Sequence, residues 1–250
     1  TNTIFLHVNI IKLNAIGSTN TYLQNLCKNT GVSDCTLVVA NEQTQGRGQM
    51  GASWQSRQGQ SLTFSMLKRF NRLHISDNAA IAFGVSIAVK SVLEKLKVPA
   101  VSIKWPNDIM SYGQKLCGIL IENQLEGNHV VSSIIGVGLN VNETEFSELP
   151  QATSMRLATG SVFDRNAILE LIGEEIQKEL EFIENEKIAR LKSSYEVSLF
   201  RRNKVSTFET PDGFKFNGII KGVGRSGELL VEKEDEGMQG FQHKQIKLLF

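Results

Sequence analysis

The sequence contains 250 residues, of which 41% are hydrophobic and 21% charged, and this composition excludes a disordered or low-complexity chain. Its 27 Lys and Arg residues balance 26 Asp and Glu residues, so the formal net charge of +1 gives no support to a basic nucleic-acid-binding surface. Three cysteines form no CxxC pair, which argues against a structural zinc site, and their odd number indicates a reducing compartment. No secretory signal and no apolar run of about 18 residues is visible, so we expect a cytoplasmic protein that is not bound to a membrane.

Hydrophobic periodicity predicts the elements of the first part of the chain. Residues 10–15 predict a short strand, and the hydroxyl groups of Ser18 and Thr19 suit the start of a helix. A β-branched, apolar strand is expected over residues 36–40. Residues 41–60 contain four glycines and show no apolar periodicity, and a loop of this length is usually functional.

The middle of the chain is predicted to form mainly antiparallel sheet. Residues 61–67 alternate apolar and polar side chains, as a half-buried strand does, and residues 76–96 predict a long helix. Residues 101–105 predict another strand. Residues 115–122 and 130–141 predict a hairpin that turns through a Glu-Gly-Asn sequence.

Two further regions complete the predicted organisation. A second long helical region is expected over residues 164–199, with a break. Beyond it, five short β-like segments are separated by turn sequences, as in a small all-β barrel. These segments are residues 205–209, 214–221, 228–232, 238–243 and 246–250. We therefore predict a domain over residues 1–200 and a small C-terminal domain over residues 201–250.

The loop of residues 43–54 carries three glycines within six residues, together with one arginine and one tryptophan. Glycines let backbone N–H groups approach a ligand closely, so the loop is a candidate for capturing a carboxylate or phosphate. A mobile surface loop is the alternative for such a segment on its own. It is not a GxxxxGK[ST] phosphate loop, because no Lys-Ser or Lys-Thr follows, and no helix pattern follows it as in a dinucleotide fingerprint.

Two other segments are candidates for chemistry. Residues 104–108, Lys-Trp-Pro-Asn-Asp, follow a predicted strand directly, although Pro-Asn-Asp is also a common turn. Lys115 begins an apolar strand, where its ammonium group can meet a carboxylate or phosphate or simply face solvent. Residues 136–142 carry alternating glycines, which allow a ligand to lie against the strand or two sheet segments to pack closely.

In this order the segments resemble the motifs of the biotin protein ligases. The residues that carry the resemblance are Ser18-Thr19-Asn20, Gly46-Arg47-Gly48 through Gly51 to Trp54, Lys104-Trp105-Pro106-Asn107-Asp108, Lys115-Leu116-Cys117-Gly118-Ile119-Leu120 and Gly136-Val137-Gly138-Leu139-Asn140. Five motifs in the correct order are specific where one alone is not. The resemblance implies an α+β fold with a mixed, largely antiparallel sheet flanked by helices, similar to class II aminoacyl-tRNA synthetases, and a small C-terminal β-barrel.

The resemblance also implies a two-step reaction. The biotin carboxylate attacks the α-phosphate of ATP and forms biotinyl-5'-adenylate and pyrophosphate. A lysine of a biotin carboxyl carrier protein then attacks this anhydride. Mg²⁺ is the expected cation, because a carboxylate must approach a polyphosphate and charge stabilisation dominates phosphoryl transfer.

Individual roles follow from the resemblance, position by position. Biotin would be bound by Ser18, Thr19, Gln43, Gly46, Arg47, Gly118 and Gly136. ATP and the adenylate would be contacted by Gly48, Gln49, Trp54, Asn107, Lys115, Val137, Leu139 and Asn140. The catalytic residues would be Lys115, Asp108 and Arg47. Lys115 would touch both the biotin carboxylate and the phosphate, and Asp108 would lie near the incoming lysine or the metal.

The chain departs from the common bacterial pattern at two positions, where Gln49 and Ala52 replace basic residues. Because arginine holds phosphate bidentately, we expect a weaker grip on the adenylate, with Arg57 as a nearby substitute. We also expect the loop of residues 46–54 to be mobile without biotin. The first predicted strand begins almost at once, so we expect no DNA-binding segment before it.

Two alternatives remain open at this point. A lipoate or octanoyl ligase or transferase shares the fold and the acyl-to-lysine chemistry, and ligand identity can depend on a few contacts. A non-enzymatic sensor of biotin or its adenylate belongs to a different class, which the presence of Lys115 and Asp108 disfavours. A monomer and a homodimer are likewise both open as oligomeric states.

Overall fold

The computed structural model describes residues 9–147, 149–234 and 236–250, which form two sheets and five α-helices. The strands of the main sheet are β1 (Ile10–Ile16), β2 (Leu37–Gln43), β3 (Ser61–His74), β4 (Val101–Lys104), β5 (Asp108–Ser111), β6 (Gln114–Glu126) and β7 (His129–Asn140). The helices are α1 (Thr19–Asn29), α2 (Ala79–Lys95), α3 (Met155–Thr159), α4 (Arg165–Glu184) and α5 (Ile188–Val197). The second sheet contains β8 (Val205–Glu209), β9 (Lys215–Val223), β10 (Leu229–Lys233), β11 (Gly237–Phe241) and β12 (Lys247–Leu249).

The main sheet has the strand order β1-β2-β3-β7-β6-β5-β4. Among its described strands, β1 and β2 form the one parallel pair, and the other neighbours are antiparallel. The predicted hairpin corresponds to β6 and β7, which pair from Cys117 and Leu139 to Glu126 and His129. The prediction of an α+β fold with a mixed, largely antiparallel sheet flanked by helices is confirmed.

The strand β3 shows how the two faces of the main sheet differ. Its residues Leu62, Phe64 and Met66 belong to the main hydrophobic core, which also contains the apolar sides of α2, α4 and α5. Leu67 points to the opposite face and packs with Leu23 of α1 in a second cluster. Successive residues of a strand point to opposite faces, so the alternating pattern of β3 places helices on both sides of the sheet.

The segment Ile75–Lys95, which includes α2, is long and apolar enough to cross a membrane by length and mean hydropathy (1.2) alone. In this fold, however, much of the helix is buried against the sheet and against α4 and α5. Its residues Ile81, Val85 and Leu93 are fully buried in the main core. Packing in the protein interior therefore accounts for the apolar composition of α2.

Several local features differ from the sequence predictions. The strand β5 and the short helix α3 were not predicted. Pro-Asn-Asp predicted a turn, but Asp108 pairs with Lys104 as the first residue of β5, so the turn occupies residues 105–107 only. The strand β2 continues to Gln43 and β3 continues to His74, because ladder pairing extends strands through polar residues that break the hydrophobic pattern.

The C-terminal strands form an antiparallel sheet in the order β11-β10-β9-β8-β12. All five predicted β-segments are therefore strands. The two outer strands, β11 and β12, do not pair with each other in the described residues, and their connection contains only a bridge between His243 and Ile246. The predicted closed barrel is thus not confirmed, and the structure shows an open second sheet.

The second sheet is attached to the main sheet by specific polar contacts. Arg225 forms a two-pronged ion pair with Asp77, with nitrogen–oxygen distances of 2.7 and 2.8 Å. The hydrogen bond from Arg225 lowers the pKa of the Asp77 carboxyl group. The indole Nε1 of Trp105 donates to the carbonyl oxygen of Gly227 at 2.8 Å. These contacts fix the second sheet beside the turn that joins β4 and β5.

Candidate active site

A cavity of about 440 Å³ lies between the start of α1, the glycine-rich loop and the strands β6 and β7. Most residues that the sequence predicts for the site line it. They are Ser18, Thr19, Gln43, Arg47, Gly48, Gln49, Trp54, Asn107, Asp108, Lys115, Gly118, Gly136 and Val137. Segments that lie far apart in the sequence therefore meet at one place, which we call the first cavity.

The polar end of the first cavity depends on the parallel pairing of β1 and β2. Ile16, at the end of β1, lies opposite Gln43, at the end of β2, so the residues after β1 begin α1 beside Gln43. The backbone N–H and the hydroxyl of Thr19 donate to Gln43 Oε1 at 2.8 and 3.0 Å. The Oγ atoms of Ser65 and Thr19 lie 2.7 Å apart, within hydrogen-bond distance. These side chains form a pre-assembled group, and Ser18 lines the cavity beside them at the start of α1, where its side chain makes no capping hydrogen bond.

Glu122 on β6 connects the glycine-rich loop to α1. Arg47 Nη2 and Asn20 Nδ2 both donate to Glu122 Oε2, at 2.7 and 2.8 Å. Asn20 Oδ1 in turn accepts a hydrogen bond from the Ser65 hydroxyl. The sequence did not predict a site role for Glu122, because only the pairing of β6 with β7 brings it opposite α1. Its carboxylate offsets the positive charge of Arg47.

Glycines form the floor of the first cavity, and the indole ring of Trp54 lies on them. A Cβ atom at Gly138 would lie 2.4 Å from Trp54 Cε2, and one at Gly118 would lie 3.1 Å from Trp54 Cζ3. Gly118 and Gly138 are paired neighbours on β6 and β7, which explains why the two glycines share one ring. The floor therefore accepts a flat group only because both positions lack a side chain.

Lys115 and Asp108 form an ion pair at the edge of the first cavity, with an Nζ–Oδ1 distance of 2.7 Å. Asp108 lies opposite Gly118 in the β5–β6 ladder, which brings the two motifs together. Lys115 Nζ is also 5.9 Å from the centre of the Trp54 ring. Both charged side chains remain partly exposed, at 39% for Lys115 and 18% for Asp108, so both can reach a ligand.

Three predicted site residues do not line the first cavity. Gly46 lies against the loop backbone, where a Cβ atom would be 2.3 Å from the Trp54 carbonyl oxygen. The side chain of Leu139 is fully buried in the main core. The side chain of Asn140 donates to the carbonyl oxygen of Thr153 at 2.9 Å. The first two positions therefore offer only backbone to a ligand.

A second cavity of about 750 Å³ adjoins the first and shares Ser53, Trp54, Asp108 and Lys115 with it. Asn140 lines this second cavity. Arg57, the predicted substitute for the missing loop cations, also lines it and lies 3.5 Å from Glu145. Asn107 lines the first cavity, but its Nδ2 donates to the Ile119 carbonyl oxygen at 2.6 Å, which fixes the turn before β5.

Glu143 is a buried acid at the second cavity that the sequence did not single out. Its side chain is 2% exposed and accepts a hydrogen bond from the Ser61 hydroxyl. The other carboxylate oxygen, Oε2, has no hydrogen-bond partner in the described part of the chain. Burial raises the pKa of Glu143. No motif indicates this residue, because its burial depends on the pairing of β3 with β7.

The second sheet contributes two residues to the first cavity, His243 and Lys244. They belong to the loop between β11 and β12. Burial lowers the pKa of His243, whose ring meets Trp105 edge to face at 6.1 Å between ring centres. The sequence assigned this segment to the small C-terminal domain and gave no signal that it reaches the glycine-rich loop.

The described residues include no group of three or more His, Cys, Asp or Glu side chains arranged to hold a metal ion. Asp108 is the one carboxylate that, within those residues, lines both cavities. Mg²⁺ is usually bound by one or two carboxylates and by substrate phosphates. Asp108 therefore fits a Mg²⁺ ion that arrives together with a nucleotide.

Residues 13–140 match the Biotin/lipoate A/B protein ligase family, and this range contains most of the residues that line the first cavity. The match covers about half of the chain. The chain therefore belongs to this family.

Relatives and solved structures agree with this assignment. The chain is 30% identical over 247 residues to a bifunctional ligase/repressor of Bacillus spizizenii, a match that covers 96% of this chain and 74% of that protein. It is 28% identical over 219 residues to a biotin–[acetyl-CoA-carboxylase] ligase of Mycobacterium tuberculosis, covering 86% and 80%. Its fold is similar to the biotin protein ligase of Aquifex aeolicus in complex with biotin and ATP, with a TM-score of 0.79, 27% identity and coverage of 96% and 98%.

Proposed function

We propose that this chain is an ATP-dependent biotin protein ligase that makes biotinyl-5'-adenylate and transfers biotin to a lysine of a biotin carboxyl carrier protein. The observation that carries the proposal is the junction of the two cavities at Lys115 and Asp108. A ligase of this kind must bring a carboxylate and a nucleotide phosphate to one cation. Lys115 lines both cavities and supplies that cation.

In this proposal the first cavity binds biotin. The ureido head has few polar atoms, and Ser18, Thr19 and Gln43 offer donors and acceptors at the polar end of the cavity. Backbone groups of the remaining biotin-binding positions, Gly46, Arg47, Gly118 and Gly136, would complete the contacts. A largely apolar ligand with a few exact hydrogen-bond partners suits such a site.

The second cavity would bind the adenine end of the nucleotide, and the phosphates would extend past Lys115 and Asp108 into the first cavity. Trp54 lines both cavities and would offer an aromatic face to the adenine, while Asn140 would offer an amide. The backbone of Val137 and Leu139 would contact the adenylate, since both side chains belong to the core. Gly48, Gln49 and Asn107 would contribute from the loop and from the turn before β5.

The chemistry follows from the charges at the junction. An oxygen of the biotin carboxylate attacks the α-phosphorus of ATP, and the bond to the pyrophosphate oxygen breaks. Lys115 reduces the repulsion between the two anions as they approach. In the second step the amine of the carrier lysine attacks the acyl carbon and AMP leaves. Asp108 would orient that amine or accept its proton, and Arg47 would position the loop over the intermediate.

The remaining parts of the proposal concern the surroundings of the reaction. Mg²⁺ would accompany ATP and supply further charge neutralisation, with Asp108 as its protein contact. We propose a catalytic domain over residues 1–200 and a small domain over residues 201–250, and a cytoplasmic enzyme. The named ligases among its relatives support a carboxylase carrier protein as partner.

Intact-mass spectrometry of a biotin carrier domain tests the proposal. The domain is incubated with the chain, ATP, Mg²⁺ and either biotin or lipoate. We expect a mass gain with biotin only, and loss of that gain with Lys115→Ala. Lys90→Ala serves as the matched control, because Lys90 pairs with Glu94 on α2 away from the cavities. A gain with lipoate only assigns the chain to lipoate transfer, and tight biotin binding without any gain supports a sensor.

A further inference from the structure

The loop between β11 and β12 reaches across from the second sheet to the tip of the glycine-rich loop. Lys244 Nζ donates to the carbonyl oxygen of Met50 at 3.1 Å. Met50 lies in the 3₁₀ turn Gln49–Gly51 at that tip. Lys244 also lines the first cavity, so a cation from the second sheet joins the proposed ligand site.

The position of Lys244 is supported by the contacts that attach the second sheet. The ion pair of Arg225 with Asp77 and the hydrogen bond of Trp105 to Gly227 hold this sheet beside the β4–β5 turn. The neighbouring residue, His243, contacts the ring of Trp105. The loop that carries Lys244 is therefore anchored through the same tryptophan that leads into the Pro-Asn-Asp segment.

The charges of the first cavity distinguish Lys244 from the other cations. Arg47 is paired with Glu122, and Lys115 is paired with Asp108, each at 2.7 Å. Lys244 has no carboxylate within ion-pair distance in the part of the chain that the structure describes. Its contact is a neutral carbonyl, so its positive charge is not offset within the protein.

We propose that Lys244 is a phosphate-binding residue of the active site, which holds the ATP phosphates and then the adenylate phosphate. The inference rests on the proposed function and extends it to the second sheet. An ammonium group has three donors, and the bond to Met50 uses one of them. The other donors reach an anion while the first keeps the glycine-rich loop in place.

This role also explains how the chain can bind phosphate although Gln49 and Ala52 stand where the common bacterial pattern has basic residues. A cation from another sheet takes the place that those loop positions leave neutral. Arg57 is less suited to it, because its guanidinium group lies 3.5 Å from Glu145, whose carboxylate offsets its charge. The glycine-rich loop and the second sheet would then both contribute to binding the adenylate.

The test compares Lys244→Gln, Lys244→Arg and Lys215→Gln in the full chain. Lys215 is an exposed lysine of the same sheet that lines neither cavity. The affinity for an ATP analogue whose α–β phosphate bridge cannot be cleaved is measured by titration calorimetry in the presence of biotin. Biotin affinity is measured alone, and the KM for ATP comes from the carrier assay. We expect Lys244→Gln to weaken ATP binding and raise its KM about tenfold, the loss typical of a charge-assisted hydrogen bond. Biotin affinity should be unchanged, Lys244→Arg should retain most of the ATP affinity, and Lys215→Gln should behave as the wild type.

Other results would contradict the role of Lys244, the proposed ligase function, or both. Unchanged ATP affinity in Lys244→Gln, or an equal loss in Lys215→Gln, overturns the role of Lys244. If the wild type binds ATP without modifying the carrier, the ligase proposal fails while the calorimetric comparison still judges Lys244. If the wild type binds no ATP, both proposals fail. Raising the salt concentration should weaken ATP binding more in the wild type than in Lys244→Gln, because screening acts on the charge that the variant lacks.

Discussion

The first cavity has two sides that are built in different ways. The strand side, formed by β2, β3 and the start of α1, contains a continuous network in which Gln43, Thr19 and Ser65 are hydrogen-bonded in series. The loop side, formed by the glycine-rich loop and the β11–β12 loop, depends on separate contacts, such as the bond from Lys244 to the Met50 carbonyl. One side is fixed by the sheet, and the other is assembled from two independent segments.

This difference between the strand side and the loop side indicates which parts of the site can move. Buried polar groups that satisfy one another are costly to rearrange, so the strand side is ready for a ligand head group before binding. Loops held by few contacts open at low cost, which suits the entry of two substrates and the later approach of a carrier. The predicted mobility of residues 46–54 agrees with this division and stays a prediction.

Alanine at Gly136 should have the largest effect on stability, because it breaks the strand side. The new Cβ atom would lie 2.4 Å from Asn20 Oδ1, inside the network of buried polar groups. We expect overpacking to lower the free energy of unfolding by about 1–3 kcal/mol. Thermal unfolding measures the loss, and Gly31→Ala is the control, because nothing lies within 4 Å of its Cβ position. Equal melting temperatures for the two variants would contradict a rigid strand side.

Alanine at Gly138, two residues along the same strand, should affect ligand binding more than stability. Its Cβ atom would meet the Trp54 ring, which belongs to the loop side. Because the loop can move, we expect the free energy of unfolding to fall by less than about 1 kcal/mol. The displaced ring should weaken ATP binding several-fold in calorimetry. A drop in melting temperature as large as that of Gly136→Ala would show that the loop side is equally rigid.

The substitution Gln49→Arg should strengthen the loop side by a small amount. It returns a cation to the loop tip next to Met50, and we expect it to slow adenylate release by a few-fold, as partly exposed ion pairs contribute up to about 1 kcal/mol. The release rate of labelled adenylate measures the effect. The effect should be larger when Lys244 is also changed to Gln. An unchanged release rate would contradict the expectation that the wild type binds the adenylate weakly.

The smallest effect is expected from Glu143→Gln at the second cavity, and its signature is a pH dependence. Because burial raises the pKa of this acid in the folded state, the protonated form is favoured there. Its stabilising contribution is complete below the unfolded pKa of about 4.3 and is lost as the pH rises through the folded pKa. Glutamine cannot ionise, so the melting temperature of the variant relative to wild type should increase with pH over this range. A difference that stays constant from pH 4 to pH 8 would show that the pKa of Glu143 is not raised in the folded protein.

The sequence predicted those parts of the fold that depend on local patterns. The alternation of Leu62, Phe64 and Met66 correctly indicated a strand, but the prediction that it is half-buried was wrong, because the polar residues between them are buried under α1 and the neighbouring strands. Asp164 marked the start of α4, where its side chain accepts a hydrogen bond from the Asn166 N–H. The strand β5 was missed because its four residues follow a Pro-Asn turn sequence. Such a short strand is specified by its neighbours β4 and β6, not by its own pattern.

The same distinction applies to the candidate site. Residues inside the motifs, such as Lys115 and Gly118, were predicted because the motifs carry them. Glu122 and Lys244 were missed because they enter the site through tertiary packing, one across the sheet and one from the second sheet. A charged residue that reaches the site from a different element has no characteristic spacing from the motif residues, so its role becomes visible only in the folded structure.

The position of Trp54 makes its intrinsic fluorescence a reporter of ligand binding. The chain has two tryptophans, and Trp105 is held by Gly227 at the junction of the sheets. Trp54 instead lies on the glycine floor, and its Nε1 is buried without a hydrogen-bond partner in the described residues. Any ligand that occupies the floor must change the surroundings of that indole. The emission of Trp54 should therefore follow filling of the site in real time, against a nearly constant contribution from Trp105, without any added label.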